Sequence, residues 1–163
     1  MKTNISSFVL FIIALFNFSV VQAQKANPHF QKKEPGTYTS GPIQQGNNQD
    51  YQVCAHGTVY GLGNVSSVLA SIEVVSGNAT VYCYNQGNPD HPIPGQTNTN
   101  YSSQPTPIPV TNGHASLEGL CVLITGSCQG GGNGWHYEVT NFTPTAVYAV
   151  INGTRLLLTP EAQ

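Results

Sequence analysis

From Tyr51 onward the chain reads as short runs of alternating or wholly apolar residues, separated by turn-forming ones. YQVCAHGTVYGL (51–62) sets Val53, Ala55 and Val59 against Cys54, His56, Thr58 and Tyr60. VSSVLASIEVV (65–75) places Val68, Ala70, Ile72 and Val74 on one face and Ser67, Ser71 and Glu73 on the other. Ser76-Gly77-Asn78 is expected to turn the chain into ATVYCYN (79–85). HASLEGLCVLIT (114–125) is the most apolar run and predicts a central strand, entered through the turn pair Asn112-Gly113. WHYEVTNF (135–142) alternates Trp135, Tyr137 and Val139 against His136, Glu138 and Thr140. Pro144-Thr145 then leads into AVYAVI (146–151), and Asn152-Gly153 joins it to TRLLLT (154–159). A period of two marks a half-buried strand. Asn-Gly between two apolar runs predicts a type I′ hairpin, because both central residues need positive φ.

Seven or eight short strands in roughly 110 residues, with no helical period among them, predict an all-β domain over residues 51–159 followed by a tail at 160–163. Parallel pairing would need crossover helices, so antiparallel sheets are expected. The expected architecture is a two-sheet sandwich, immunoglobulin-like in general layout, with a small β-barrel as the alternative. No internal repeat points to a solenoid or propeller.

The N-terminal residues have a different character. Lys2, the apolar run Phe8 to Phe16 and the small residues of Val21-Gln22-Ala23 have the order of a secretory signal peptide over residues 1–23. The run is too short to span a bilayer core of about 30 Å. Residues 24–50 are rich in Gln, Asn, Pro and Gly without an apolar period, and are expected to form a disordered leader. The mature chain is therefore expected to be secreted, extracellular or periplasmic, with no membrane insertion after cleavage.

Export changes the meaning of the cysteines. Cys54, Cys83, Cys121 and Cys128 make an even count, and in an oxidising compartment that predicts two disulfides out of three possible connectivities. A local Cys121–Cys128 bridge is one competitor. No C-x-x-C pair suggests zinc. Charge excludes another class of function. From Tyr51 to Gln163, Arg155 is the one basic residue, against Glu73, Asp90, Glu118, Glu138 and Glu161, a net −4. A nucleic-acid surface must neutralise several phosphates, so neither nucleic acid nor an anionic lipid surface is an expected partner.

Gly61-Leu62-Gly63-Asn64, then Cys83, Asn85, Gly87, Asn88 and Pro94-Gly95-Gln96, then Cys128 and Trp135, form an ordered set of short motifs. In this respect residues 54–151 resemble a family of small secreted β-domains of unknown function. That family has a GLGN turn, a cysteine-asparagine-glycine segment ending in P-G-Q, and a later cysteine and tryptophan. Pro89-Asp90-His91 departs from its pattern, standing where glycine and small residues are expected. The resemblance implies a bridge between Cys83 and Cys128, which leaves Cys54 with Cys121. It implies no activity.

Cys83, Asp90 and His91 are residue types of a nucleophile or a metal site, yet a bridged sulfur is no nucleophile and one carboxylate is far from the six or more oxygens calcium takes. His56, His114 and His136 fall on predicted strands without ligand-like spacing. No nucleophile elbow, zinc helix or phosphate loop occurs, and the glycine-rich run Gly130–Gly134 is not followed by Lys-Ser/Thr. Glu73, Glu118 and Glu138 are the residues through which a small secreted hydrolase would act, were two of them to meet. The sequence thus predicts no catalytic residue, no metal and no cofactor.

The positive hint is aromatic. Tyr82 and Tyr84 share a strand face, and with Tyr60 and Tyr148 they are the candidate binding residues, since exposed tyrosines offer flat platforms to sugars and proteins. The expected function is a secreted, non-catalytic cell-surface or extracellular interaction module that takes a glycan or a surface protein. A self-assembling structural subunit and a small hydrolase are the alternatives.

Overall fold

The computed structural model describes residues 26–97, 100–130, 132 and 134–162; the signal peptide expected over residues 1–23 lies outside them. Among the described residues no helix forms, and thirteen strands follow one another. They are β1 (Thr37–Gln45), β2 (Asn48–His56), β3 (Thr58–Val59), β4 (Ser67–Asn85), β5 (Asn88–Pro94), β6 (Gln96–Thr97) and β7 (Asn100–Ser102). There follow β8 (Thr106–Pro109), β9 (Ala115–Ser116), β10 (Cys121–Ile124), β11 (Gly126–Ser127), β12 (Trp135–Ile151) and β13 (Thr154–Pro160). The protein is all-β, as its periodicity predicts.

Nine of these strands share one sheet, ordered β10-β2-β1-β13-β12-β4-β5, with β7 and β8 also paired to β4. Glu138 of β12 pairs with Gln49 of β2, which closes β2, β1, β13 and β12 into a four-strand barrel. Two pairings in that ring, β1–β13 and β12–β2, are parallel. This corrects the expectation of purely antiparallel sheets. A crossover helix is needed to bring consecutive strands side by side in parallel; here each parallel pair joins strands far apart in sequence, so no helix is required.

The leader expected over residues 24–50 is also corrected. Of this segment, β1 pairs along its whole length with β2 in a nine-pair antiparallel ladder, from Thr37↔His56 to Gln45↔Asn48. The loop between them is Gly46-Asn47, with Gly46 at φ 65°, the geometry of a type II′ hairpin. Upstream, Asn27 and His29 bond to Gly61 and Tyr60 through the backbone. No residue of β1 is fully buried. Tyr38 packs against the core, but the strand is held mainly by its backbone ladder to β2 and its pairing with β13, so it shows no hydrophobic period.

The turn expected at Ser76-Gly77-Asn78 and the junction at Pro144-Thr145 prove to be kinks inside long strands. β4 and β12 pair from Ala70↔Ile151 to Asn85↔Trp135, passing straight through Ser76-Gly77 and Pro144-Thr145. Ser76 has φ 45°, and its hydroxyl donates to Thr145 Oγ1 at 3.1 Å across the kink. The kink changes which residues of β4 face inward: Val68, Ala70, Ile72 and Val74 before it, Val81 and Cys83 after it. Thr140 forms a bulge in β12, where the register shifts between Val139 and Asn141. Phe142 then packs over Gly77, where a Cβ would lie 2.6 Å from the ring.

The run at 114–125 splits into β9 and β10 around Gly119 at φ 83°, and β10 ends the sheet order instead of lying at its centre. By contrast, Asn112-Gly113 and Asn152-Gly153 are type I′ turns with φ of 51° and 76°, and 47° and 83°.

The main core gathers Val53, Ala55, Leu62, Ile72, Val74, Leu117, Ile124, Val147 and Ile151 with their neighbours. A smaller buried group, Val81, Cys83 and Val139, lies beyond the kink. The β6–β11 ribbon covers it so closely that a Cβ on Gly95 would come within 2.6 Å of Val81 and 2.9 Å of the Cys83 sulfur. The disulfides join Cys83 to Cys128 and Cys54 to Cys121. Cys54 and Cys121 are direct cross-strand partners.

Candidate binding site

Beyond the kink the even-numbered residues of β4 turn outward, so Tyr82 and Tyr84 share one face. Tyr82 is 38% exposed. Across the ladder Tyr82 meets Glu138, and Tyr84 meets His136. The Tyr84 and His136 rings stack nearly parallel, 5.1 Å between centroids and 13° between planes. Burial, then the charge of Glu138 and a hydrogen bond to it, push the Tyr84 phenol above its ordinary pKa.

His136 and Glu138 in turn form the floor of a cleft of about 420 Å³. The tip of the β1–β2 hairpin makes one wall with Gln44, Gly46 and Asn47, and Gln86 of the β4–β5 turn stands on the rim. Two local structures hold these walls. The Gly46 turn projects the hairpin tip, and the Gln86 N–H donates to Gly134 O at 2.9 Å. The face therefore combines an exposed phenol, a stacked phenol–imidazole pair, a carboxylate and three carboxamides. Such a set can stack on an apolar ring face and bond its hydroxyls.

Tyr60 and Tyr148 are elsewhere, so the four candidate tyrosines do not form one strip. Tyr148 sits opposite Glu73 and Leu157, under the Arg155 guanidinium at 5.7 Å, and Arg155 is paired in turn with Glu73. Tyr60 is flanked by the rings of His29 and His114, and its hydroxyl donates to Glu34 at 3.4 Å. Asp90 and His91 lie exposed on β5. Among the described residues no three of His, Cys, Asp and Glu are grouped to hold a metal ion.

The three glutamates do not meet. Glu73 is nine residues before Tyr82, the partner of Glu138, or roughly 30 Å along β4. Glu118 belongs to His56 at the other end of β2: its Oε2 is 2.9 Å from Nδ1, while His56 Nε2 is 2.9 Å from Thr39 Oγ1. The hydrogen bond from His56 lowers the Glu118 carboxyl pKa; burial opposes it, and the Gly57 N–H and the His56 charge add to the lowering. This hydroxyl–imidazole–carboxylate row has the order of a hydrolytic triad, but it lies on an open strand face and ties the loop before β10 to β1 and β2.

The sequence reading missed Asp50, assigned there to the leader. It is 3% exposed, the buried charged residue among those described, and accepts a 2.7 Å hydrogen bond from Tyr137 Oη. Beside it the Asn48 side chain accepts from the Tyr137 N–H, and the Gln49 amide donates to Val139 O. These contacts clamp the tip end of the β1–β2 hairpin onto β12 beside the cleft. Nothing near Asp50 in sequence announces a partner 87 residues away. In comparisons with family models, curated proteins and solved structures, the chain has no match.

Proposed function

We propose that this protein is a secreted, non-catalytic interaction module that binds glycans through the Tyr82–Tyr84 face and the cleft beside it. The observation that carries the reading is the exposed Tyr82 ring next to a stacked Tyr84–His136 pair, bordering a cleft walled by carboxamides. Aromatic faces cover the C–H faces of sugar rings, and amides offer both donor and acceptor to neighbouring hydroxyls. Two disulfides suit an oxidising, extracellular setting, and among the described residues no helix is long and apolar enough to cross a membrane.

In architecture the module is read as immunoglobulin-like, with β4 and β12 each serving two layers, a reading supported by the inward-face switch at the kink. Its kinship with the small secreted β-domains it resembles is supported by the close approach at Gly95 and by the cysteine pairing. Assembly through strand edges is the less favoured role. The terminal strand β5 carries Pro89, Pro92 and Pro94, which remove N–H donors and blunt that edge.

A glycan array probed with the disulfide-bonded protein tests the proposal. Binding to one or more glycans, lost on Tyr82→Ala with the fold intact, is the expected result. An array without any bound glycan overturns it.

A further inference from the structure

The cleft floor carries Glu138, and among the described residues that line the cleft there is no Lys or Arg. The cations among the described residues are held elsewhere. Arg155 is paired with Glu73 and lies over Tyr148, on the other side of the β4 kink. Lys32 and Lys33 lie between Gln31 and Glu34, in the segment that docks on Tyr60, beyond the far end of β2 from the hairpin tip. A carboxylate-bearing sugar entering the cleft would therefore meet the Glu138 carboxylate with no Lys or Arg to offset it, the one basic group of the lining being the His136 imidazole stacked on Tyr84. Gln44, Asn47 and Gln86, in contrast, each present a carbonyl acceptor and an NH₂ donor, the pairing that vicinal hydroxyls require.

We infer that the cleft selects uncharged glycans and rejects acidic ones, with Glu138 as the residue that sets this filter. The inference rests on the glycan-binding reading above and names its ligand class. Like charges a few ångströms apart at a partly screened surface cost about a factor of ten in affinity, and the penalty falls as salt rises. Discrimination of this kind needs a repulsive group as well as attractive ones, and Glu138 is that group.

Calorimetric titration of the folded protein with neutral hexaoses (gluco-, manno-, xylo- and galacto-configured) and with hexagalacturonate tests the filter. A neutral hexaose is expected to bind at least tenfold more tightly than hexagalacturonate at low salt, with the gap narrowing at high salt. Glu138→Gln is expected to move the acidic-to-neutral affinity ratio about tenfold toward the acidic sugar. Tyr82→Ala is expected to weaken both classes alike and leave the ratio in place. Equal binding of acidic and neutral sugars, or a ratio unchanged by Glu138→Gln, overturns the filter while leaving glycan binding intact. No binding of any hexaose overturns the glycan reading itself, and the filter with it.

Discussion

Asp50 and Tyr137 show how much can rest on one pair of side chains. A carboxylate at 3% exposure needs donors, and the Tyr137 hydroxyl supplies one at 2.7 Å. Tyr137→Phe keeps the ring and removes the donor, so a loss of about 3 kcal/mol is expected in urea unfolding. The same pair gives the protein an alkaline limit. Burial first, and then the bond to Asp50, push the Tyr137 phenol from 10.0 up to about 12. Between those values the unfolded chain releases the phenol proton and the folded chain keeps it. Stability from this group is thus complete below pH 10 and is lost as pH rises toward 12, by roughly 2 kcal/mol after allowance for solvent screening. The unfolding midpoint of the wild type should fall across that window, and that of the Phe variant should fall less. An equal slope in both would remove Tyr137 as the cause. None of this was legible beforehand, because Asp50 stands in a polar stretch and its partner is 87 residues away.

At the scale of elements, turn chemistry is legible only where a turn depends on its own residues. Asn112-Gly113 and Asn152-Gly153 adopt the positive φ pairs that a type I′ hairpin demands. Ser76-Gly77-Asn78 has a similar composition but lies mid-strand, because β12 pairs with β4 on both sides of it and Phe142 occupies the space above Gly77. Pro94-Gly95-Gln96 is explained in the same way. Gly95 lets the β6–β11 ribbon rest on Val81 and the Cys83 sulfur, and a methyl group at this position would sit 2.6 Å from Val81. Gly95→Ala is therefore expected to cost about 2 kcal/mol through overpacking, read as a lower midpoint in thermal or urea unfolding. Gly46→Ala, at the hairpin tip where nothing lies within 4 Å, tests positive φ alone and should cost less. A larger loss at Gly46 than at Gly95 would contradict this account of the ribbon.

On the scale of the whole molecule, the two disulfides tie the edge strand β10 to β2 and the ribbon side to β4. They close separations of 67 and 45 residues, each constraining the unfolded chain by about 4 kcal/mol in the chain-entropy view. Reduction in mild denaturant is expected to unfold the domain at a midpoint several molar units of urea below that of the oxidised protein; an unchanged midpoint would mean that the barrel stands without its bridges. The all-β class, the turn at Asn112-Gly113, the type I′ hairpin at Asn152-Gly153 and the shared face of Tyr82 and Tyr84 were available from short-range pattern, since strand period and turn dihedrals are properties of neighbouring residues. The closed ring, the ordered N-terminal hairpin, the kinks in β4 and β12 and the cleft beside Tyr82 were not. Each depends on pairing between segments tens of residues apart. In β1 above all, the stabilising groups are backbone N–H and C=O, which every residue but proline carries alike and which therefore leave no trace in the order of side chains.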